Sequence, residues 1–126
     1  MMMFISCKNR NTGSLQIRES VKSSIVFIDT IHHFGNVSME NPVDSFDFKF
    51  RNTGTQNVVV LNASTSCQCT EVRYSTKPVT PGDESFIRVI YNGKGRSPEY
   101  FRKYVLVYTS AAQENVKLVI DGQLQK

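Results

Sequence analysis

Phe46-Asp47-Phe48-Lys49-Phe50-Arg51-Asn52-Thr53-Gly54 is the stretch that decides the fold of this 126-residue chain. Three phenylalanines alternate with Asp47 and Lys49. Side chains on a β-strand point alternately to opposite faces, so period two means a strand with one face buried and one face wet. Arg51 to Gly54 then supplies turn chemistry, since Gly54 tolerates positive φ.

The same signal recurs on both sides. Upstream, Ile25-Val26-Phe27-Ile28 is the first strong apolar run, and Ile31 to Val37 continues it, broken at Gly35. Downstream, Val58-Val59-Val60-Leu61 is apolar throughout, as a strand covered on both faces would be. Thr70 to Tyr74 reads as a short strand. Ser85 to Tyr91 places Ile87, Val89 and Tyr91 on one face, Phe101 to Thr109 alternates Val105 and Val107, and Val116 to Leu124 closes the chain with Leu118 and Ile120. Pro78, Pro81-Gly82-Asp83 and Asn92-Gly93-Lys94-Gly95 mark the bends between them. No segment carries apolar residues at i, i+3, i+4 and i+7 over three turns. β-branched and aromatic residues fill every periodic run. Short strands with turn signals between them predict two facing sheets, with the Phe46, Phe48 and Phe50 face inward.

Composition bounds the rest. The length suits one domain and can bury a core without staples. Hydrophobic residues make up 40% and charged residues 21%, which argues against wholesale disorder. A formal net charge of +4 is too mild to indicate nucleic-acid binding. The densest positive stretch, Lys94, Arg96, Arg102 and Lys103, has Glu99 inside it and reads as a solvated loop and strand face, with a phosphate or lipid-headgroup contact as its sharper alternative. No run approaches the ~18 apolar residues that span a bilayer.

Three cysteines carry what chemistry the chain offers. Cys67 and Cys69 lie two apart in Ser66-Cys67-Gln68-Cys69-Thr70. If the run is extended, both sulfurs face one way. Three readings stand open: two small buried hydrophobes; a disulfide, for which extended Cα atoms two apart, about 6.5 Å, lie near the upper limit; and half of a soft metal site, copper(I) more than zinc, with His32, His33 or Cys7 as further ligands. His32 and His33 are adjacent and would point to opposite faces, so at most one could join the cysteines. Cys7 has a different setting. Met-Met-Met-Phe-Ile-Ser precedes it and a polar run follows, similar to the tail of a bacterial lipoprotein signal in which this cysteine takes the lipid. Residues 1–23 are accordingly expected to be a truncated signal and polar tether, with a possible short edge strand at Leu15 and Ile17, and residues 24–126 the folded domain.

In order along the chain stand Phe34-Gly35-Asn36-Val37, Phe48-Lys49-Phe50-Arg51-Asn52-Thr53-Gly54, Ser66-Cys67-Gln68-Cys69-Thr70, Pro81-Gly82 and Gly122. This succession resembles a bacterial domain-of-unknown-function family with a Ser-Cys-Gly-Cys-Thr signature; Gln68 stands where that signature has Gly. The family is similar to Hydin-type and major-sperm-protein-like immunoglobulin folds. The resemblance implies an all-β, immunoglobulin-like sandwich of about seven to eight antiparallel strands. It also implies an exported, lipid-anchored or periplasmic location in the cell envelope, and it implies no reaction.

Enzyme signatures are missing: there is no nucleophile elbow, phosphate-binding glycine loop or zinc-protease helix. The expectation is a non-enzymatic binding or scaffolding module with no cofactor, a protein or cell-envelope partner and no nucleic acid. Its contacts are sought at the 92–100 loop and the 111–115 turn. Two rivals remain: a thiol-based metal-binding or redox protein using Cys67 and Cys69, and an adaptor that adds an extended peptide to a sheet edge.

Overall fold

The computed structural model describes residues 24–112 and 115–126. Eight strands follow one another: β1 (Ile25–Phe27), β2 (Ile31–Ser38), β3 (Val43–Asn52), β4 (Val60–Ser64), β5 (Thr70–Tyr74), β6 (Glu84–Asn92), β7 (Glu99–Thr109) and β8 (Val116–Gln125). They form two four-stranded sheets, ordered β1-β3-β6-β5 and β2-β8-β7-β4. The all-β sandwich read from the alternation is therefore the observed architecture.

The inner faces are those the period predicts. Phe48 and Phe50 are fully buried opposite Ile87 and Ser85 of β6. From the other sheet come Phe101, Val105, Val107, Leu118, Ile120 and Leu124. Tyr91 stacks on Phe101 with ring centroids 3.7 Å apart, joining the layers. Its hydroxyl is buried with no hydrogen-bond partner among the described residues, and burial pushes its ionisation above the usual phenol range. Phe46 is only half-buried because it lies at the open side of the sandwich, where His32 stacks on it at 3.8 Å.

Two expectations are corrected. The sheets are not wholly antiparallel, because β2 runs parallel to β8. The chain pairs antiparallel with β3 as β1, then crosses to the other sheet and continues beside β8. The apolar run from Val58 to Leu61 is not one strand covered on both faces. Val58 makes an isolated bridge to Val79, and β4 begins only at Val60 as an edge strand. A register shift between Val60 and Asn62 turns Leu61 outward, 63% exposed. Gly54, which tolerates positive φ, does not adopt it. The turn is built by Asn52, which is fully buried. Its side-chain amide donates to the carbonyls of Gln56 and Val79, both at 2.8 Å, and its carbonyl oxygen accepts from the Gly54 N–H at 2.9 Å.

Two glycines are needed where β2 meets β8. Gly35 has φ 72° in the register shift between His33 and Asn36. A Cβ on Gly122 would come within 2.7 Å of Phe101 Cζ and 2.9 Å of the Gly35 carbonyl oxygen.

Candidate functional site

Three features could carry function, and they lie on different parts of the sandwich. The first is the cysteine turn. Ser66 to Cys69 is not extended but forms a turn leading into β5, closed by the Thr70 N–H donating to the Cys67 carbonyl at 3.2 Å. Turning shortens the Cα–Cα distance to 5.2 Å, well inside the range a disulfide spans, and Cys67 and Cys69 are bonded to each other. The extended-strand geometry expected from the spacing is corrected, and of the three cysteine readings the structure has the disulfide. Gln68 sits in the turn without positive φ, so the site does not require the glycine of the signature.

The surroundings of the two sulfurs differ. Cys69 is 7% exposed and packs into the core, while Cys67 is half-buried. The Cys69 N–H donates to Cys67 Sγ at 3.2 Å, and Thr70 Oγ1 lies 3.5 Å from Cys69 Sγ. The Cys69 carbonyl accepts from the Asn92 N–H at 2.8 Å, which ties the turn to the end of β6. Beside it opens a hollow of about 500 Å³ lined by Gln68, Cys69, Asn92, Lys94, Gly95 and Arg96. Arg96 is paired with Glu99 at 3.0 Å; Lys94 forms no ion pair among the described residues. The positive stretch of the sequence is thus divided. Lys94 and Arg96 face this hollow, Arg102 lies on the outer face of β7, and Lys103 is opposite Ile120 in register.

The second feature surrounds Asp121, a buried carboxylate on the outer face of β8. It receives His33 Nδ1 at 2.7 Å, Arg102 at 2.9 Å and the Tyr100 hydroxyl at 3.2 Å. Burial by itself would push this carboxyl up. The hydrogen bonds from His33 and Tyr100 and the charge of Arg102 outweigh it and hold Asp121 below its ordinary range. Asp47, paired with Arg88 through two hydrogen bonds, is shifted the same way. A carboxylate depressed in the folded state stabilises fully above its unfolded pKa of about 3.9, and that contribution is lost as pH falls through the lower folded value. Urea unfolding of the wild type is therefore expected to weaken below about pH 4. In Asp121→Asn the neutral-pH stability should be lower and this acid slope shallower, with the Asp47 share remaining. Identical slopes in the two proteins would remove Asp121 from the explanation.

Neither histidine reaches the cysteines. His33 points outward to Asp121 and His32 inward onto Phe46, on opposite faces as their adjacency predicts. Among the described residues no group of three or more His, Cys, Asp or Glu side chains is placed to hold a metal. Cys7 and the strand considered at Leu15 and Ile17 lie outside the described residues.

The third feature is a row that the sequence reading missed. The outward positions of β7 read Tyr100, Arg102, Tyr104, Leu106 and Tyr108. The tyrosines are 60%, 47% and 37% exposed, and Ile31 on β2 is 47% exposed. Lys117 Nζ lies 4.8 Å from the Tyr104 ring centroid. Between β4 and β7 a smaller hollow of about 260 Å³ is lined by Ser64, Thr65, Ser66, Tyr104 and Leu106. The period-two pattern that places Val105 and Val107 inside also places this row outside.

No helix among the described residues is long and apolar enough to cross a membrane. No curated protein matches the chain. Solved structures do share the fold. A protein of unknown function from Porphyromonas gingivalis W83 superposes with a TM-score of 0.70 at 12% identity over 81% of this chain; the chain spans about half, 47%, of that protein's length. The ASH / PapD-like domain 7 of human CEP192 gives 0.67 at 8% identity, covering 83% of this chain and 87% of that one. The VesB protease of Vibrio cholerae gives 0.52 at 10% identity, covering 90% of this chain but 34% of that one. Identities this low speak for the fold alone, an immunoglobulin-like β-sandwich. A family model described as "Protein of unknown function (DUF1573)" matches residues 25–124, and the chain belongs to that family.

Proposed function

We propose that this chain is a binding module of the bacterial cell envelope, exported and held at the membrane surface through Cys7, which docks a protein partner on the outer face of the β2-β8-β7-β4 sheet. The row from Tyr100 to Tyr108 carries this reading. Tyrosine and arginine are the side chains enriched where protein interfaces hold their binding energy, because they bury a large area at small entropic cost. A sheet face of this size, about 600 Å² from the strand spacing, approaches the ~800 Å² per partner of an ordinary interface. The hollow beside Tyr104 and Leu106 can receive an apolar side chain, and Lys117, which has no ion-pair partner among the described residues, favours a partner with carboxylates around that anchor. The Cys67–Cys69 bond supports an oxidising compartment, where such bonds persist. The likeness to the ASH / PapD-like domain supports the kinship with Hydin-type and major-sperm-protein-like domains, with Ser66 to Thr70 as this chain's form of the Ser-Cys-Gly-Cys-Thr signature.

A photo-crosslinker placed at position 104 in the cell tests this. It should trap a protein in the envelope fraction, whereas the same group at Lys49, on the outer face of the other sheet, should not. With the trapped protein purified, Tyr104→Ala is expected to weaken binding by about 2 kcal/mol, roughly 30-fold. Equal trapping at both positions, a second copy of this chain as the only product, or recovery from the cytoplasm alone would overturn the reading.

One observation favours a second reading, thiol exchange. The sulfurs of Cys67 and Cys69 are bonded to each other, and Cys67 is only half-buried, so one side of the bond is within reach of another thiol.

A further inference from the structure

We infer that Cys67–Cys69 is an exchange site with a fixed polarity, in which Cys67 is the sulfur attacked, Cys69 is the sulfur expelled, and the 92–96 loop recruits thiols that carry carboxylates. The inference rests on the thiol-exchange reading.

Polarity follows from access. Cys69 is packed into the core and Cys67 is half-buried, so an incoming thiolate meets Cys67 Sγ first. Attack forms a bond between the incoming sulfur and Cys67 Sγ and breaks the bond to Cys69 Sγ. The electron pair leaves on Cys69 as a thiolate, beside the Thr70 hydroxyl, which can donate to it. A second thiol of the partner then attacks its own bridged sulfur and expels Cys67 as a thiolate, which the Cys69 N–H is already placed to receive. A partner dithiol is oxidised to a disulfide, the Cys67–Cys69 bond is reduced to two thiols, and the reverse sequence oxidises them again. Hydrogen bonds to both sulfurs favour the anion that each step needs.

Partner class follows from charge. Lys94 and Arg96 line the hollow that contains Cys69, and among the described residues no carboxylate lines it. Glu99 offsets Arg96, so the uncompensated charge beside the turn is Lys94, which has no ion-pair partner among the described residues. A thiol bearing carboxylates is therefore drawn to this turn, where Cys67 is the more accessible sulfur, and a cationic thiol is repelled.

The test uses the intact folded chain. Reduced glutathione, which carries two carboxylates, and cysteamine, which carries an ammonium, are compared as reductants at low salt, each rate corrected for its thiolate fraction. Glutathione should react faster by about tenfold or more, and Lys94→Gln or added salt should erase the difference. With glutathione disulfide, reduced Cys69→Ser should accumulate a mixed disulfide at Cys67, and reduced Cys67→Ser should react far more slowly, both variants being checked for β-sheet circular dichroism. If either variant fails to fold, peptide mapping of the transient mixed disulfide in the wild type reads the same polarity. A bond that neither thiol reduces until the protein is denatured would defeat the exchange reading itself. Reduction without an anionic preference, or adducts found on Cys69, would defeat only the polarity and the recruitment argued here.

Discussion

Replacing Phe48 with Ala is expected to lower the unfolding free energy by about 3–5 kcal/mol, among the largest single-residue losses this sandwich can suffer. Phe48 is fully buried, opposite Ile87 in the β3–β6 ladder, with the Phe46 ring edge-on at 4.9 Å. The loss has two parts: the transfer of the ring back to water, and the void left behind. The void cannot close cheaply. β3 is paired with β6 from Val43 to Arg51, so its backbone cannot move inward without breaking the ladder. Against a typical total of about 5–15 kcal/mol, such a loss removes a large share of the stability. Lys49→Ala is the matched control. Its side chain is exposed on the opposite face of the same strand, and its effect should stay within about 0.5 kcal/mol. Urea unfolding of the two variants measures the contrast. Comparable losses would mean that the phenylalanine face is not the inner one.

Asn52→Ala should cost about 3 kcal/mol or more, although it removes almost no apolar area. The Asn52 side chain joins the Gln56 carbonyl and the Gly54 N–H of its own turn to the Val79 carbonyl, which also accepts the Val58 N–H. Its own backbone completes the knot, donating to Asp83 at 2.9 Å and accepting from the Gly82 N–H at 2.8 Å. Removing the side-chain amide leaves the buried Gly54 N–H without its acceptor and takes a donor from the Gln56 carbonyl, at roughly 1–3 kcal/mol for each unsatisfied group, while the Val79 carbonyl keeps the Val58 N–H. Thr53→Ala, next in sequence but exposed, loses only a hydroxyl contact to Ser24 and should be close to neutral. Thermal melts of both variants, with circular dichroism as the probe, check the difference. A melting point unchanged in Asn52→Ala would mean that the 53–56 and 79–83 turns hold themselves.

Much of the fold was legible because strand periodicity is a local property. Phe46 to Phe50 and Ile87 to Tyr91 state their inner faces without reference to any partner. The adjacency of His32 and His33 likewise forces them to opposite faces. What misled was anything set by a neighbour. Val58 to Leu61 looks like a covered strand, yet its role depends on where Val79 and Thr109 lie. Gly54 looks like the turn residue, yet a distant carbonyl at Val79 lets Asn52 take that place.

The candidate site was half legible in the same sense. Cysteines two apart were visible, but their bond depended on a turn that shortens the distance between them. The cations beside them are some 25 positions further along the chain. The tyrosine row was present in the alternation of β7 and passed unread, because attention to the inward valines leaves the outward positions looking like mere surface.

By itself the sequence determined the strands whose side chains alternate and which side of those strands is apolar, since both follow from the alternation along one strand. Only the tertiary structure decided that β2 lies parallel to β8, that Cys67 reaches Cys69, and that Asp121 collects His33, Tyr100 and Arg102. Those outcomes rest on contacts between residues far apart in the chain, whose distances are set by how the two sheets pack and not by any local preference.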